Sequence, residues 1–230
     1  MENKEQAQQA VYKETIDSLM QQTQSSTDGL STTQAKEKLE RDGLNQLKEK
    51  PKKPTWKLFL ETFKDAMVIV LLIVALIQMV MGDYIEFLVI FAVLMLNSII
   101  SVVQTKKAEG SLEALKNLSA PDARVIRDGK EKTIPANELV VGDIVLLDAG
   151  DYVPADGRLL DAGSLKVDEG MLTGESTSAE KEVMDITSTV PVGDRTNMVF
   201  SGTIVTYGRG KFLVTSTGNN TEIGQVAGLL

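Results

Sequence analysis

The sequence predicts a mixed fold: short N-terminal helices, an α-helical transmembrane hairpin, and then a mainly β domain of distorted jelly-roll type. Two observations predict the hairpin and one predicts the β domain. Residues 66–81 and 87–103 carry no charge, and only a short stretch containing Gly82-Asp83 separates them, so they read as two apolar helices joined by a tight turn. From Ala123 onward the pattern changes to short strand-like runs punctuated by Gly, Asp, Pro and Asn, the spacing of a small barrel or jelly roll.

Composition narrows the chemistry. A net charge of −8 and a pI near 4.8 argue against a nucleic-acid binder, which needs clustered Lys and Arg to displace counterions from phosphates. The chain has no cysteine and no histidine. Disulfides, thiol and imidazole catalysis, and the usual zinc and iron ligand sets are therefore excluded. Carboxylates, hydroxyls, amines and backbone remain. At 230 residues and 43% hydrophobic, the chain suits one globular domain joined to a membrane-embedded part.

Residues 1–54 read as an N-terminal cytoplasmic segment belonging to the domain that follows. It has a disordered start and a short helix over 11–20 marked by Val11, Ile16, Leu19 and Met20. Ser31-Thr32-Thr33-Gln34 is a capping box opening a helix that carries Ala35 and Leu39 and stops at Gly43. The basic, proline-containing stretch 48–54 suits a linker lying against anionic headgroups. Residues 55–105 make the hairpin. Both apolar runs fall short of the ~20 residues that cross a bilayer core, so residues 59–63 and 84–86 are expected to extend them. Lys52, Lys53, Lys57 and Lys64 precede the first run, Lys106 and Lys107 follow the second, and the turn has no base. That asymmetry predicts a multi-pass protein of the cell membrane with both ends of the chain cytoplasmic. The position of the first run, far from Met1, excludes a cleavable signal peptide.

Residues 106–121 continue the second run as a stalk helix, with Ala108, Leu112, Leu115 and Leu118 on one face, until Pro121 halts it. The β domain occupies 122–220. Asp128-Gly129 is a hairpin turn between strands at 124–127 and 130–134, and further strands are expected at 144–147, 158–160, 164–167, 198–200, 203–206 and 211–215. Gly208-Arg209-Gly210 reads as a hairpin loop between the last two. It is no phosphate cradle, since no helix follows it, and no GxxxxGK[ST] is present. Residues 221–230 read as the start of another helix. The chain stops inside that helix and is expected to be part of a longer protein.

The stretch most informative about chemistry is Thr173-Gly174-Glu175-Ser176, a polar loop after the apolar pair Met171-Leu172. Such a loop can project one carboxylate from a rigid scaffold to orient and deprotonate a water. Taken alone, the four residues fit an ordinary turn with solvated acids better. The surroundings reverse that reading. Val141-Gly142-Asp143, Val153-Pro154-Ala155-Asp156-Gly157 and the Thr173 loop occur in this order. Asn197-Met198-Val199-Phe200-Ser201-Gly202-Thr203 and Thr221-Glu222-Ile223-Gly224 follow.

In these motifs the chain, from about residue 30 to its end, resembles the actuator domain of P-type cation-transporting ATPases. The resemblance implies that Glu175 positions the water that hydrolyses an aspartyl phosphate formed elsewhere in the full-length protein. Thr173, Gly174 and Ser176 would set the loop and touch the phosphate site. It also implies ATP and Mg in the full-length enzyme, whereas this chain is expected to hold no cofactor and no metal and to be inactive alone. Asp143, Pro154, Asp156 and Gly157 are expected to hold turns together. Asp168, Glu169, Glu175 and Glu180 lack EF-hand spacing and are read as a solvated acidic loop. Lys181 stands where the family carries a lysine.

Phe63-Lys64-Asp65, Tyr84-Ile85-Glu86-Phe87 and the stretch from Ala108-Glu109 to Lys116 are similar to the calcium-pump branch of the sarcoplasmic-reticulum type, in its bacterial form. Calcium export is thereby implied, with Glu86 and Asp65 as ion-gating candidates. Lys64 replaces an acid linked to gating in the animal pumps, which leaves the number of ions per cycle open. The family's ion ligands lie on later helices. Implied partners are the lipid bilayer, a calcium ion, and the phosphorylation and nucleotide domains and later membrane helices of the same chain; nucleic acid is not among them. Two alternatives stay open: a P-type pump for Na, H or Mn, and a non-catalytic membrane-tethered binding module.

Overall fold

The computed structural model describes residues 11–47, 53–118 and 121–229. The disordered start expected before residue 11, most of the basic linker and the end of the stalk next to Pro121 lie outside the described residues. The chain divides into two compact units, one formed by residues 1–48 and 120–230, the other by 49–119.

In the first unit the N-terminal segment comes in pieces. Instead of one helix over 11–20, a 3₁₀ turn at Val11–Lys13 precedes α1 (Ile16–Gln22). The break arises at Thr15, which takes extended backbone and uses its side chain to accept from the Ser18 amide, starting a helix afresh. α2 (Thr32–Asp42) opens on the capping box at Ser31 and Gln34 and ends at Gly43, whose φ is 83°. These pieces are built into the domain. Tyr12, Leu19 and Leu30 are buried, and Leu30 bridges Arg127. Asn45 donates to the carbonyls of Ala136 and Pro154, each at 2.9 Å. The buried ammonium of Lys38 donates to the carbonyls of Thr23 and Val141.

β1 (Asp122–Arg127) and β2 (Lys130–Pro135) are joined by Asp128-Gly129, both at positive φ as such a turn requires. β3 (Ile144–Asp148), β4 (Asp156–Asp168), the single turn α6 (Gly170–Thr173), β5 (Ala179–Glu180), β6 (Met198–Val199), β7 (Ile204–Ser216) and α7 (Glu222–Leu229) follow. The seven strands form one antiparallel sheet in the order β2-β1-β3-β7-β4-β5, with β6 branching from β4. Its inner face wraps the main core, which includes Val125, Leu139, Val145, Leu159, Phe212 and Val214.

Two expectations are corrected here. The strands read at 158–160 and 164–167 are parts of one strand, β4, and those at 203–206 and 211–215 are parts of β7. Gly208-Arg209-Gly210 is therefore no hairpin loop. Ser164 and Gly208, at φ 53° and 78°, fall where the β4/β7 register slips between Gly163 and Lys166, and this bulge bends both strands without ending them. A Cβ on Gly208 would collide with the carbonyls of Gly163 and Ser164. Glycine lets the strands stay paired through the bend.

The second unit holds α3 (Thr55–Thr62), α4 (Ala66–Met81) and α5 (Tyr84–Leu118). α5 is long and apolar enough over Tyr84–Leu112 to cross a membrane; α4 passes only together with α3, and that pair is bent by 70°. Residues 59–63 thus do not extend the first apolar run along its axis. Asp65 sets the new direction: its carboxylate accepts from the Met67 amide at 2.9 Å and caps α4. Gly82, left-handed at φ 90°, ends α4. α4 and α5 pack together. Val68, Ala75, Leu94, Ser98 and Val102 are buried in this unit, while apolar side chains such as Val80 and Ile85 stay 78% exposed. Bare apolar faces of this extent suit hydrocarbon surroundings.

Candidate functional site

The Thr173–Ser176 loop is an excursion between β4 and β5, whose pairing of Val167 with Ala179 closes its base. β4 ends at Asp168, whose Oδ1 accepts from the Gly170 amide at 3.0 Å. The chain then coils once as α6. The Glu169 carbonyl accepts from the amides of Leu172 (2.8 Å) and Thr173 (3.0 Å) and from the Thr173 hydroxyl (3.2 Å). Gly174, left-handed at φ 77°, ends the turn and donates to the Gly170 carbonyl. The Thr173 hydroxyl also accepts from the Glu175 amide at 3.2 Å. Leu172 packs on the buried cluster of Tyr12, Ile186, Met198 and Phe200, so the turn has an apolar foot.

Glu175 and Ser176 stand exposed beyond this turn, as does Met171 at 77%. Among the described residues no hydrogen bond or ion pair engages the Glu175 carboxylate. Thr173, Gly174, Glu175 and Ser176 are thus brought together on one projection, with the Glu175 side chain exposed. Asp65 and Glu86 lie in the other compact unit, Asp65 as the cap of α4 and Glu86 in the first turn of α5. Among the described residues no three acids cluster closely enough to hold a metal ion.

The reading of the four acids as one solvated loop is corrected at Glu169, which is 2% exposed. Lys181, also 2% exposed, places its ammonium 2.5 Å from Glu169 Oε1, 3.4 Å from the Arg195 carbonyl and 5.4 Å from the centroid of the Phe200 ring. Burial pushes the Glu169 carboxyl up and the Lys181 ammonium down, each opposed by the charge of the other. The sequence carried two signals for this pair: the lysine itself, and the alternation along β4, in which Leu165 and Val167 face inward and Glu169 is next in phase.

The other motifs tie the scaffold. Asp143 is fully buried and takes a two-pronged ion pair from Arg127, at 2.8 and 2.6 Å, with the Val140 amide at 2.9 Å. Gly157 lies against the Phe212 ring and has no room for a side chain. Asp156 joins three stretches: Oδ1 accepts from the Ser201 amide and Oδ2 from the Glu222 amide that opens α7, both at 2.7 Å. Burial, opposed by these two hydrogen bonds, pushes the Asp156 carboxyl from 3.8 up to about 7.

Because the native state keeps this proton to about pH 7 and the unfolded chain releases it near 3.8, the native state binds more protons in between. Stability is therefore expected to fall as pH rises through that window and to level off above it, by the linkage of protonation to folding. Thermal unfolding of the protein across pH 4–8, compared with Asp156→Asn, measures this contribution; the variant's profile is expected to be flatter.

Residues 117–230 match the P-type ATPase actuator domain, and residues 11–78 match the N-terminal region of cation transporters and ATPases. The chain is 58% identical over 220 residues to a calcium-transporting ATPase of Listeria monocytogenes, covering 96% of this chain and 25% of that protein. It is 53% identical over 219 residues to a calcium-transporting ATPase of Lactococcus lactis, with coverage of 95% and 25%. A cation-transporting ATPase of Synechocystis is 41% identical over 199 residues, with coverage of 86% and 22%. The chain thus spans about a quarter of the length of the curated relatives it matches. With the N-terminal match running into α4 and the actuator match covering the whole sheet and its Thr173–Ser176 loop, the chain belongs to the P-type cation-transporting ATPases.

Proposed function

We propose that this chain is the N-terminal part of an ATP-driven calcium-exporting pump, in which the actuator domain drives dephosphorylation of an aspartyl-phosphate intermediate and couples it to movement of membrane helices. The observation that carries this reading is Glu175: an exposed carboxylate without a partner among the described residues, at the tip of a loop pinned by backbone bonds. Hydrolysis of a phosphoryl group needs a water held in line and a group to take its proton, and a carboxylate so placed does both. Thr173 and Gly174 shape the loop, and Ser176 extends its polar edge toward the phosphate. ATP and Mg act at regions of the full-length protein outside this chain. The names of the bacterial relatives support calcium as the cargo.

Membership of residues 11–47 and 121–229 in one compact unit supports a topology in which both lie on one side of the membrane, with α5 as one crossing and the α3–α4 pair as the other. The bases Lys53, Lys57, Lys64, Lys106 and Lys107 support the cytoplasm as the shared side. Asp65 and Glu86 stand at ends of these helices and are proposed to take part in ion gating.

The test is phosphorylation of the full-length protein in membranes by radiolabelled ATP. A phosphoenzyme that forms only with micromolar calcium is expected. Formation driven by Na, H or Mn in place of calcium would overturn the cargo assignment, and a downstream sequence without a phosphorylated aspartate would favour a tethered binding module.

A further inference from the structure

We propose that the buried Glu169–Lys181 ion pair is a positioning pair for Glu175, a role that rests on the reading of Glu175 given above. The connection runs through single contacts. Lys181 Nζ lies 2.5 Å from Glu169 Oε1. The Glu169 carbonyl gathers the bonds that coil α6, including the one donated by the Thr173 hydroxyl. That same hydroxyl accepts from the Glu175 amide. The peptide that carries the exposed carboxylate is therefore two hydrogen bonds from the carbonyl of a residue whose side chain is clamped by a buried cation.

The far side of the clamp is equally fixed. The Lys181 amide donates to the Leu165 carbonyl of β4 at 2.9 Å, and its ammonium stands over the Phe200 ring and against the Arg195 carbonyl. The loop thus has a restraint at its entry, Glu169, locked to one just past its exit, Lys181. Neither buried carboxylate oxygen of Glu169 has a hydrogen-bond partner among the described residues; Oε1 is held by the ion pair alone, and Oε2 by nothing. For stability alone, a packed apolar pair of similar volume would serve as well or better than a buried ion pair carrying an unsatisfied oxygen. What the ion pair adds is direction: one oxygen drawn to one ammonium fixes the side-chain torsions of Glu169 and with them the pitch of α6. A displacement of about 1 Å at a catalytic group can lower a rate by ~10²-fold.

The experiment uses the full-length protein with three variants: Lys181→Met, the double Glu169→Met/Lys181→Met, and Glu175→Gln as reference. Phosphoenzyme formation from ATP, its decay, thermal unfolding and backbone hydrogen exchange are measured for each. Lys181→Met is expected to slow decay ~10-fold or more. In the double variant neither charge of this pair is left buried without the other, so the melting temperature and the exchange protection of β3 and β7 are expected to match the parent protein. Its decay is nevertheless expected to stay ~10-fold slow, with formation within about two-fold and faster exchange confined to residues 170–176.

Parent-like decay in the double variant, alongside slow decay in Glu175→Gln, would overturn the positioning role and leave the reading of Glu175 intact. Parent-like decay in Glu175→Gln would overturn that reading and the positioning role with it. Slow decay accompanied by lost protection across β3 and β7 would make the pair merely structural, also overturning the proposal. Should Lys181→Met fail to fold, the double variant decides.

Discussion

Glu175→Gln in the full-length protein is expected to form phosphoenzyme from ATP at a rate within about two-fold of the parent and to lose it roughly 10²-fold more slowly, the range associated with losing a general base. The asymmetry comes from geometry. Glutamine keeps the size of the side chain, and the loop's own bonds run through the Glu175 amide, Thr173 and Gly174, none of which the substitution touches. Only the proton-accepting oxygen is lost. The exposed side chain supports no core contact, so the melting temperature is expected to stay within about 1–2 °C of the parent, as for surface substitutions generally. A quench-flow chase of radiolabelled phosphoenzyme with unlabelled ATP separates the two rates. Parent-like decay would remove Glu175 from the reaction.

The largest effect on stability is expected from Asp143→Ala. Asp143 has no exposed surface, and Arg127, almost as buried, gives it two hydrogen bonds while also donating to the Glu138 carbonyl at 3.2 Å. Deleting the carboxylate leaves a guanidinium inside the protein without a counter-charge and the Val140 amide without its acceptor. Breaking a buried pair from one side costs about 3–5 kcal/mol. For a unit of this size that corresponds to a fall of roughly 10–20 °C in melting temperature, measurable by calorimetry. Asp143→Asn, which keeps the shape and one acceptor, is expected to fall between the two. A loss below about 1 kcal/mol for Asp143→Ala would mean that water reaches Arg127 and that the pair is not a tie.

Much of this architecture was legible in the sequence because its signals are local. The capping box at Ser31, the Asp128-Gly129 turn and the uncharged run of α4 each declare themselves within a few residues. The site loop was legible only in company: its four contiguous residues alone read as an ordinary turn, and the ordered motifs around them singled it out. What local pattern concealed were features decided by distant partners. β4 and β7 look like four strands because Asp161-Ala162-Gly163 and Gly208-Arg209-Gly210 carry the marks of turns, yet each strand is held through its bend by the other. Glu169 looks like one more loop acid because its partner Lys181 lies beyond the loop it helps to shape. The 70° bend before α4 hid in Asp65, whose carboxylate accepts from the Met67 amide and starts a new helix where Phe59 and Phe63 extend the apolar pattern in sequence.

The discontinuous make-up of the first unit has a consequence for biosynthesis. Tyr12 is among the first described residues to leave a ribosome, but its carbonyl is bonded by Asn197, 185 residues later, and by Arg158. At ribosomal speeds of about 5–20 residues per second, some 10–40 s separate the two ends of that bond. During that interval Tyr12 and Leu19 lack the partners that bury them, among them Met198, Phe200 and Leu213. The early segment is therefore a client for chaperones and proteases until the last strand pairs, and errors of assembly should leave it, rather than the sheet, as the part the cell finds undocked.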